Sequence, residues 1–556
     1  MIQQKRIKPT LAIYGIKDIK NNGYPVFVHD HNLSFFSNGK LIKYLQLERY
    51  TRRKFDNSMD SLLYEVLKRA KLIDEDYDLV FTDNVIGRAF IDSTGEARFE
   101  APLNESLKNG IEKGKAWWFG KEKTAYILNH ELAHIYSCLP FFGNFKDNSL
   151  LIHFDGGASL SNFSAWRFRN NALEKIQYHW DLKYLSSFFN ANALTFGIVG
   201  AREFDQHSVP GKLMGFASYG NYKPEIEEWL KENNYFSTIW GKKSTFFVRV
   251  QSDWNINLKS FDQKNSFIQD VAATFQYIFQ RDFLSRLNEL KQRTGTEYLY
   301  YSGGSALNIL TNAEIIRQGI FKDVFIPPCP NDSGLSIGAG AFLEQLKNGR
   351  IETHQPYLNN WGIENYTGTC LDDIHEIAEL LSQGKVLGVC NGFGEVGPRA
   401  LGNRSILAKA NSLKLAKKVS QVHKEREWYR PVAPIMLEEN TRYFTGLNEI
   451  QHLSKYMLLD FKISPDKRKE VEGVVHVDGT SRIQTIFTRR ENPFMYDLLK
   501  LIDEKHGLKA LINTSFNRKG EPIVHTEEHA LHSAEEMQLD GVVLNGNLYK
   551  LNPRTK

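Results

Sequence analysis

Residues 129–138 read NHELAHIYSC, so His130, Glu131 and His134 stand in HExxH spacing. On a helix, residues four apart share a face, and two imidazoles there can hold one divalent ion. In zinc peptidases the glutamate of this motif acts on a metal-bound water. A peptidase also needs a third ligand downstream. Here IYSCLPFFGNF follows His134, so the extended HExxHxxGxxH form is absent, and a buried strand ending in FDGG comes next. A zinc metalloprotease is therefore the weak alternative. The more useful pattern is His-x-x-x-His completed by oxygen ligands from elsewhere. Asp155 in HFDGG and Asp332 in NDSG are the candidates, because both stand at strand exits, where open sheets place ligands. Two histidines with one or two carboxylates suit Fe2+ or a similar divalent metal.

The elements that must carry these residues read as an α/β chain. Residues 10–16 and 24–50 form hairpin-connected strands around the turn SNGK, and apolar spacing predicts a helix over 58–71. A strand over 77–84 precedes the HELAH helix. Strand, glycine turn and returning strand span 148–168; strand, glycine turn and helix start span 297–308; strand, loop and a helix rich in small residues span 323–346. The polar, aperiodic stretch 347–370 predicts a boundary between domains 1–360 and 361–556. An amphipathic helix over 372–384, closed by glycine, then opens a second αβ unit. No internal repeat is visible.

Bulk properties bound the function loosely. The 556 residues carry a formal net charge of +5, which permits a nucleic-acid partner without requiring one. The cysteines at 138, 329, 370 and 390 have no CxxC spacing, so neither a disulfide framework nor a thiolate zinc site is expected. No apolar run approaches the roughly 18–20 residues of a membrane span, and the first residues do not read as a signal peptide. A reducing, cytoplasmic setting without membrane contact is the expectation.

Several segments, in order, resemble one family. They are VHDHNLSFFSNGKLIKYLQLERYTRRKFD (28–56), NHELAHIYS, GKLMGFASYG (211–220), SGGSALN (302–308), NDSGLSIGAG (331–340), GEVGPRALGNRSILA (394–408), KEREWYRPVAPIMLEE (424–439), HVDGTSRIQTI (476–486) and INTSFNRKGEPIV (512–524). Together they resemble the O-carbamoyltransferases of nodulation-factor and antibiotic biosynthesis, the NodU/CmcH type. Two positions depart from that pattern: His31 and Asn32 stand where small residues are usual, and Asn129 replaces a first histidine of the metal helix.

The resemblance implies an actin-like ATPase domain (ASKHA, Kae1-like) followed by a YrdC-like αβ domain. It implies that carbamoyl phosphate and ATP give carbamoyl adenylate in the second domain. The first domain then passes the carbamoyl group to a hydroxyl of a sugar, a natural product or a hydroxymethylated nucleobase, so nucleic acid is a possible partner. Mg2+ would accompany ATP, Fe2+ would sit in the first domain, and a homodimer is possible. A tRNA threonylcarbamoyladenosine-type enzyme is the alternative.

In the second domain Arg399, Arg404, Lys424, Arg426, Arg430 and Arg482 would hold phosphate groups. Lys424 and Arg426 read as part of a charged helix. Gly397, Gly402 and Asn403 would offer backbone N–H groups to an anion, and Asn513 and Ser515 neutral partners. In the first domain Gly303 and Gly304 resemble an adenosine-binding turn, with Asn308 and Lys212 nearby. His130, His134, Asp155 and Asp332 would hold the metal. His29 or Asp30, in the loop matching the family opening, would take the proton of the acceptor hydroxyl. Regions 85–120 and 170–210 are the variable ones, and the Trp117–Trp118 pair reads as core packing or as a surface for stacking an acceptor.

Overall fold

The computed structural model describes residues 7–15, 17–18, 28–82, 89–100, 110–159, 161–179, 181–182, 184–185, 193–201, 206–236 and 243–551. The expected strand residues 24–27 and 83–84, and much of the two variable regions, lie outside that set.

The N-terminal region is built on one strand order used twice. The first sheet centres on β1 (Thr10–Tyr14), with β2 (Asn32–Ser37) and β3 (Lys40–Gln46) antiparallel on one side. On the other side β4 (Asp78–Thr82) and β5 (Lys121–Leu128) run parallel to β1 and to each other in turn. The second sheet repeats this. β6 (Ser149–Phe154) is central, β7 (Phe163–Arg169) and β8 (Ala172–His179) are antiparallel, and β9 (Tyr298–Ser302) and β10 (Asp323–Phe325) are parallel. Each order is third–second–first–fourth–fifth, and the duplication is that of an actin-like fold. The fold thus has the internal repeat that the sequence hides. Burial requires only apolar residues at matching positions, so the two halves need not share residues.

Local chemistry explains the elements. β1 reads TLAIY and β6 reads SLLIHF, both buried along their length, as strands covered on two faces must be. The β2–β3 hairpin turns at Asn38-Gly39, both with positive φ, the two-residue turn that suits strand twist. A helix α1 (Leu47–Thr51) follows β3; α2 (His130–Tyr136) follows β5, and α3 (Leu335–Asn348) follows β10. α2 and α3 pack in close contact because α3 is glycine-rich: a Cβ at Gly338 would lie 1.7 Å from the Ala133 carbonyl oxygen.

A separate seven-stranded sheet comes wholly from residues 387–550. The two regions are nevertheless stitched together. Strand Gly394–Glu395 pairs with Tyr357–Asn359, which in turn pairs with β3, so the first sheet takes a strand from beyond residue 361. One apolar core runs from Leu150 and Phe279 to Tyr429 and Ile512. Among the described residues no helix is long and apolar enough to cross a membrane.

Candidate active site

Three segments converge on a fully buried pair of imidazoles. Asn129 caps α2, its side chain accepting from Leu132 N at 2.9 Å, so the residue that replaces a histidine fixes where the helix starts. One turn apart on α2, His130 and His134 turn inward with Nε2 atoms 2.9 Å apart. Asp332 Oδ1 lies 3.7 Å from His130 Nε2 and 3.4 Å from His134 Nε2, and Asp155 Oδ2 lies 3.5 Å from His134 Nε2. Adjacent donors of an ion bound at about 2.1 Å stand about 3.0–3.4 Å apart. The donor set therefore fits one divalent ion. Electrostatics agree: burial and the neighbouring His134 push His130 down to about 3, leaving it neutral. Burial and the Asp332 charge raise Asp155, while the contact with His134 and the charge on His29 hold Asp332 low against its own burial. Each carboxylate is aimed by other groups. Asp155 accepts from Gly156 N and Gly304 N, and Asp332 accepts from the Tyr14 hydroxyl.

Glu131, the would-be peptidase base, instead accepts from Ser161 N at 3.0 Å and secures the loop after Asp155.

His29 and Asp30 border the same space. His29 Nδ1 lies 3.0 Å from Asp30 Oδ2, which also accepts from Asn331 Nδ2. Burial opposes charge on His29, but Asp30, Asp332 and Asp155 together push it up to about 9. Asn32 Nδ2 donates to both the Asp30 and Asp332 carbonyls, and so couples the His29–Asp30 loop to the turn before α3. The His29 ring packs 3.8 Å from His207 and 5.9 Å from Phe55.

A cavity of about 490 Å3 joins this site to the C-terminal region. Its walls include His29, Asp30, Asp155 and Asp332 on one side and Arg399, Lys424, Arg426, Arg430 and Arg482 on the other. Among the described residues no carboxylate forms an ion pair with Arg399, Arg426 or Arg482; Arg430 reaches Glu427 at 3.4 Å. Burial and mutual repulsion with Arg430 and Arg426 lower Arg399 to about 10, and the same causes depress Arg426, Arg482 and Lys424. Cations crowded this way, out of water and without counter-charges, call for an anionic ligand. Asn513 and Ser515 also line the wall.

Some expected site residues are placed otherwise. Arg404 does not face the cavity. It is buried, and its guanidinium donates to the carbonyls of His525, Asn391, Asn403 and Gly392, which makes it a structural clamp. The backbone N–H groups of Leu401, Asn403 and Arg404 turn to the buried Glu395 carboxylate, and Gly402 N to Ser405 Oγ, so that turn binds an internal anion rather than a substrate. At Gly303 the close approach is to its own sheet: a Cβ there would lie 2.2 Å from the Phe154 carbonyl oxygen, whereas Gly304 does line the cavity. Asn308 lines it too while capping the helix Ile309–Arg317 and pairing with Gln276. Lys212 lines it and pairs with Glu427 at 3.0 Å across the two regions. Lys424 and Arg426 lie in the loop after a helix, not on it, and Lys424 Nζ is held by Ser515 O and Asn517 Oδ1. Neither tryptophan of the pair lines the cavity; Trp118 is core and donates to the Tyr77 hydroxyl.

The chain matches two family models, described as carbamoyltransferase N-terminus over residues 120–341 and carbamoyltransferase C-terminus over residues 378–550. It belongs to the carbamoyltransferase family. It is 27% identical to nodulation protein NolNO of Sinorhizobium fredii, over 96% of this chain and 81% of that one. It is 26% identical to 3'-hydroxymethylcephem-O-carbamoyltransferase of Streptomyces clavuligerus, over 94% and 97%. Among solved structures, full-length HypF in its phosphate- and nucleotide-bound form aligns over 62% of this chain and 56% of that one, with 12% identity and a TM-score of 0.31, too low to bear on the fold.

This carbamoyltransferase uses residues that sequence reading passed over. Arg49, buried on α1, donates to the carbonyls of Glu395 and Gly397 at 2.7 Å and so holds the Arg399 loop from the other region. Arg52 does the same for Pro522 and Ile523. Both stand in ERYTRRK, where a row of cations reads as surface. Lys54 and His207 line the cavity. His153 lies inside the apolar run of β6, where nothing in the sequence marks it out.

Proposed function

We propose that this carbamoyltransferase is an ATP-dependent O-carbamoyltransferase that makes and uses carbamoyl adenylate in one cavity. The observation that carries this is the shared cavity: its walls bring Arg399, Arg426 and Arg482, with which no carboxylate pairs among the described residues, together with the His29–Asp30 loop and the two aspartates of the metal cluster. Arg399, Arg426, Arg430 and Arg482 hold the phosphates of carbamoyl phosphate and ATP. Water releases phosphate from carbamoyl phosphate and leaves carbamate. A carbamate oxygen then attacks the α-phosphorus of ATP, and pyrophosphate departs. Mg2+ accompanies the triphosphate.

The acceptor is a hydroxyl of a sugar, a natural product or a hydroxymethylated nucleobase. It enters beside His29 and His207. Its oxygen attacks the carbamoyl carbon, the bond to AMP breaks, and the hydroxyl proton moves to the His29–Asp30 pair. His29, pushed up to about 9, already carries a proton at neutral pH, which makes the Asp30 carboxylate the proton acceptor. His130, His134, Asp155 and Asp332 would hold a divalent transition ion such as Fe2+, which would supply Lewis-acid stabilisation of charge developing on the transferred group.

The test is pyrophosphate release from ATP on addition of carbamoyl phosphate, with Mg2+ and Fe2+ present. Release is expected, and Arg482→Gln is expected to lower it on the order of 100-fold. No carbamoyl-phosphate-dependent release from folded, metal-loaded protein, with or without candidate acceptors, overturns the proposal.

A further inference from the structure

His153 is a histidine in a place built for an apolar residue. Along β6, Leu150, Ile152 and Phe154 point into the large core shared with the C-terminal region, and Leu151 points to the opposite face, into the core beneath α2 and α3. Side chains alternate along a strand, so His153 follows Leu151 on that face, and Asp155 comes next after it. The His153 ring is completely buried. It stacks on His134, with centroids 5.2 Å apart and planes 26° from parallel, and lies 6.2 Å from the His130 ring, edge on.

Its two nitrogens have different surroundings. Nδ1 lies 3.2 Å from Ser164 Oγ on β7, while Nε2 has no hydrogen-bond partner. A buried polar atom without a partner calls for an explanation. If Ser164 donated to Nδ1, the ring proton would sit on Nε2 with nothing to receive it. If Nδ1 donates to Ser164 Oγ, Nε2 presents a lone pair, as a metal-ligating histidine does when its other nitrogen is held by a neighbour. One donor atom from each of His130, His134 and His153 falls within 4.8 Å of the other two. Opposite donors of an ion bound at about 2.1 Å stand about 4.2 Å apart, so the three atoms are spaced much as ligands of one ion are.

We propose that His153 is a further ligand of the metal centre. The ion is then held by three imidazoles, from His130, His134 and His153, with oxygen from Asp332 and Asp155. That nitrogen-rich set selects a borderline transition ion such as Fe2+, Co2+ or Zn2+ over Mg2+ or Ca2+. Ser164 is its positioning partner, fixing the tautomer that leaves Nε2 free to ligate.

The experiment is X-ray absorption at the metal edge of full-length protein stripped of metal and reloaded with one equivalent of Zn2+. It is paired with Zn2+ affinity from chelator competition, for wild type and His153→Gln. Three imidazoles are expected in the wild type and two in the variant, with affinity at least about 10-fold weaker in the variant. Circular dichroism of the metal-free variant shows whether it folds. The wild-type count decides even if it does not: two imidazoles in the wild type overturn the proposal, as does an unchanged count and affinity in a folded variant. Neither readout uses carbamoyl transfer, so this inference and the proposed reaction stand or fall separately.

Discussion

In the half built on β1–β5, His29 and Asp30 stand just before the second strand, and the helix after the fifth strand carries His130 and His134. In the half built on β6–β10, Asp155 directly follows the central strand and Asp332 stands in the turn just before the helix that follows the fifth. Corresponding connections of the two halves thus meet at one point with different chemistry, imidazole nitrogen mostly from one half and carboxylate oxygen mostly from the other. The duplicated strand order brings strand exits together, and residue identity decides what they do there. The halves also differ at their edges. Among the described residues the first sheet gains four strands beyond β5 and two beyond β3, one of them from the C-terminal region, whereas the second has five. The first half reaches the arginine wall through Arg49, Arg52 and the strand Gly394–Glu395, and the second through the Lys212–Glu427 pair and the shared apolar core.

Loss of one ligand from either half should empty the shared site. His134→Ala and Asp332→Ala are each expected to lower carbamoyl transfer on the order of 1,000-fold and to abolish stoichiometric Fe2+ binding, measured by elemental analysis. Pyrophosphate release should stay within about threefold of wild type. If only one of the two lost its metal, the halves would not share the site.

Arg426→Gln separates the wall from the halves. It should lower pyrophosphate release on the order of 100-fold while metal content stays unchanged. Arg404→Ala sharpens the distinction between wall and scaffold. With the carbonyls of His525, Asn391 and Gly392 left without their Arg404 donor, it should cost on the order of 3–5 kcal/mol of stability, read by chemical denaturation, and any fraction that folds should keep its carbamoyl-phosphate affinity.

The smallest effect concerns the His29–Asp30 turn. The folded protein holds His29 up to about 9, against an ordinary value of 6.5. The folded state therefore binds the extra proton between those values. Its stabilisation is complete below pH 6.5 and is lost as pH rises through about 9. Metal-free wild type should lose its Tm advantage over Asp30→Asn across that interval. A constant difference from pH 6 to 9.5 would show that Asp30 does not hold the proton on His29.

Much of the site was legible because type and spacing coincide there. His130 and His134 announce themselves at i and i+4, and Asp155 and Asp332 follow from strand-then-glycine patterns. Arginines among turn residues flagged the wall. What stayed hidden depends on direction, which residue type does not encode. Arg399 and Arg404 stand five apart in one glycine-rich segment, yet one faces the cavity and the other clamps four carbonyls. The N–H groups of that segment read as an anion nest, and the anion turned out to be Glu395. His153 was masked by the hydrophobic run around it. The duplication was invisible because the halves share burial and strand order, not residues. The two-residue strand Gly394–Glu395 is too short to leave a periodic signal.

The central claim is that carbamoyl adenylate forms at the arginine wall and is consumed at the histidine–carboxylate cluster. The most direct measurement is acid-quench mass spectrometry of single turnovers with 13C-labelled carbamoyl phosphate and ATP, comparing wild type with His134→Ala in the presence of Mg2+. The expected result is 13C-carbamoyl adenylate in the variant, in amounts approaching one per active site, with pyrophosphate released in step. Pyrophosphate-free turnover, or a variant that consumes carbamoyl phosphate without any labelled adenylate, would contradict it.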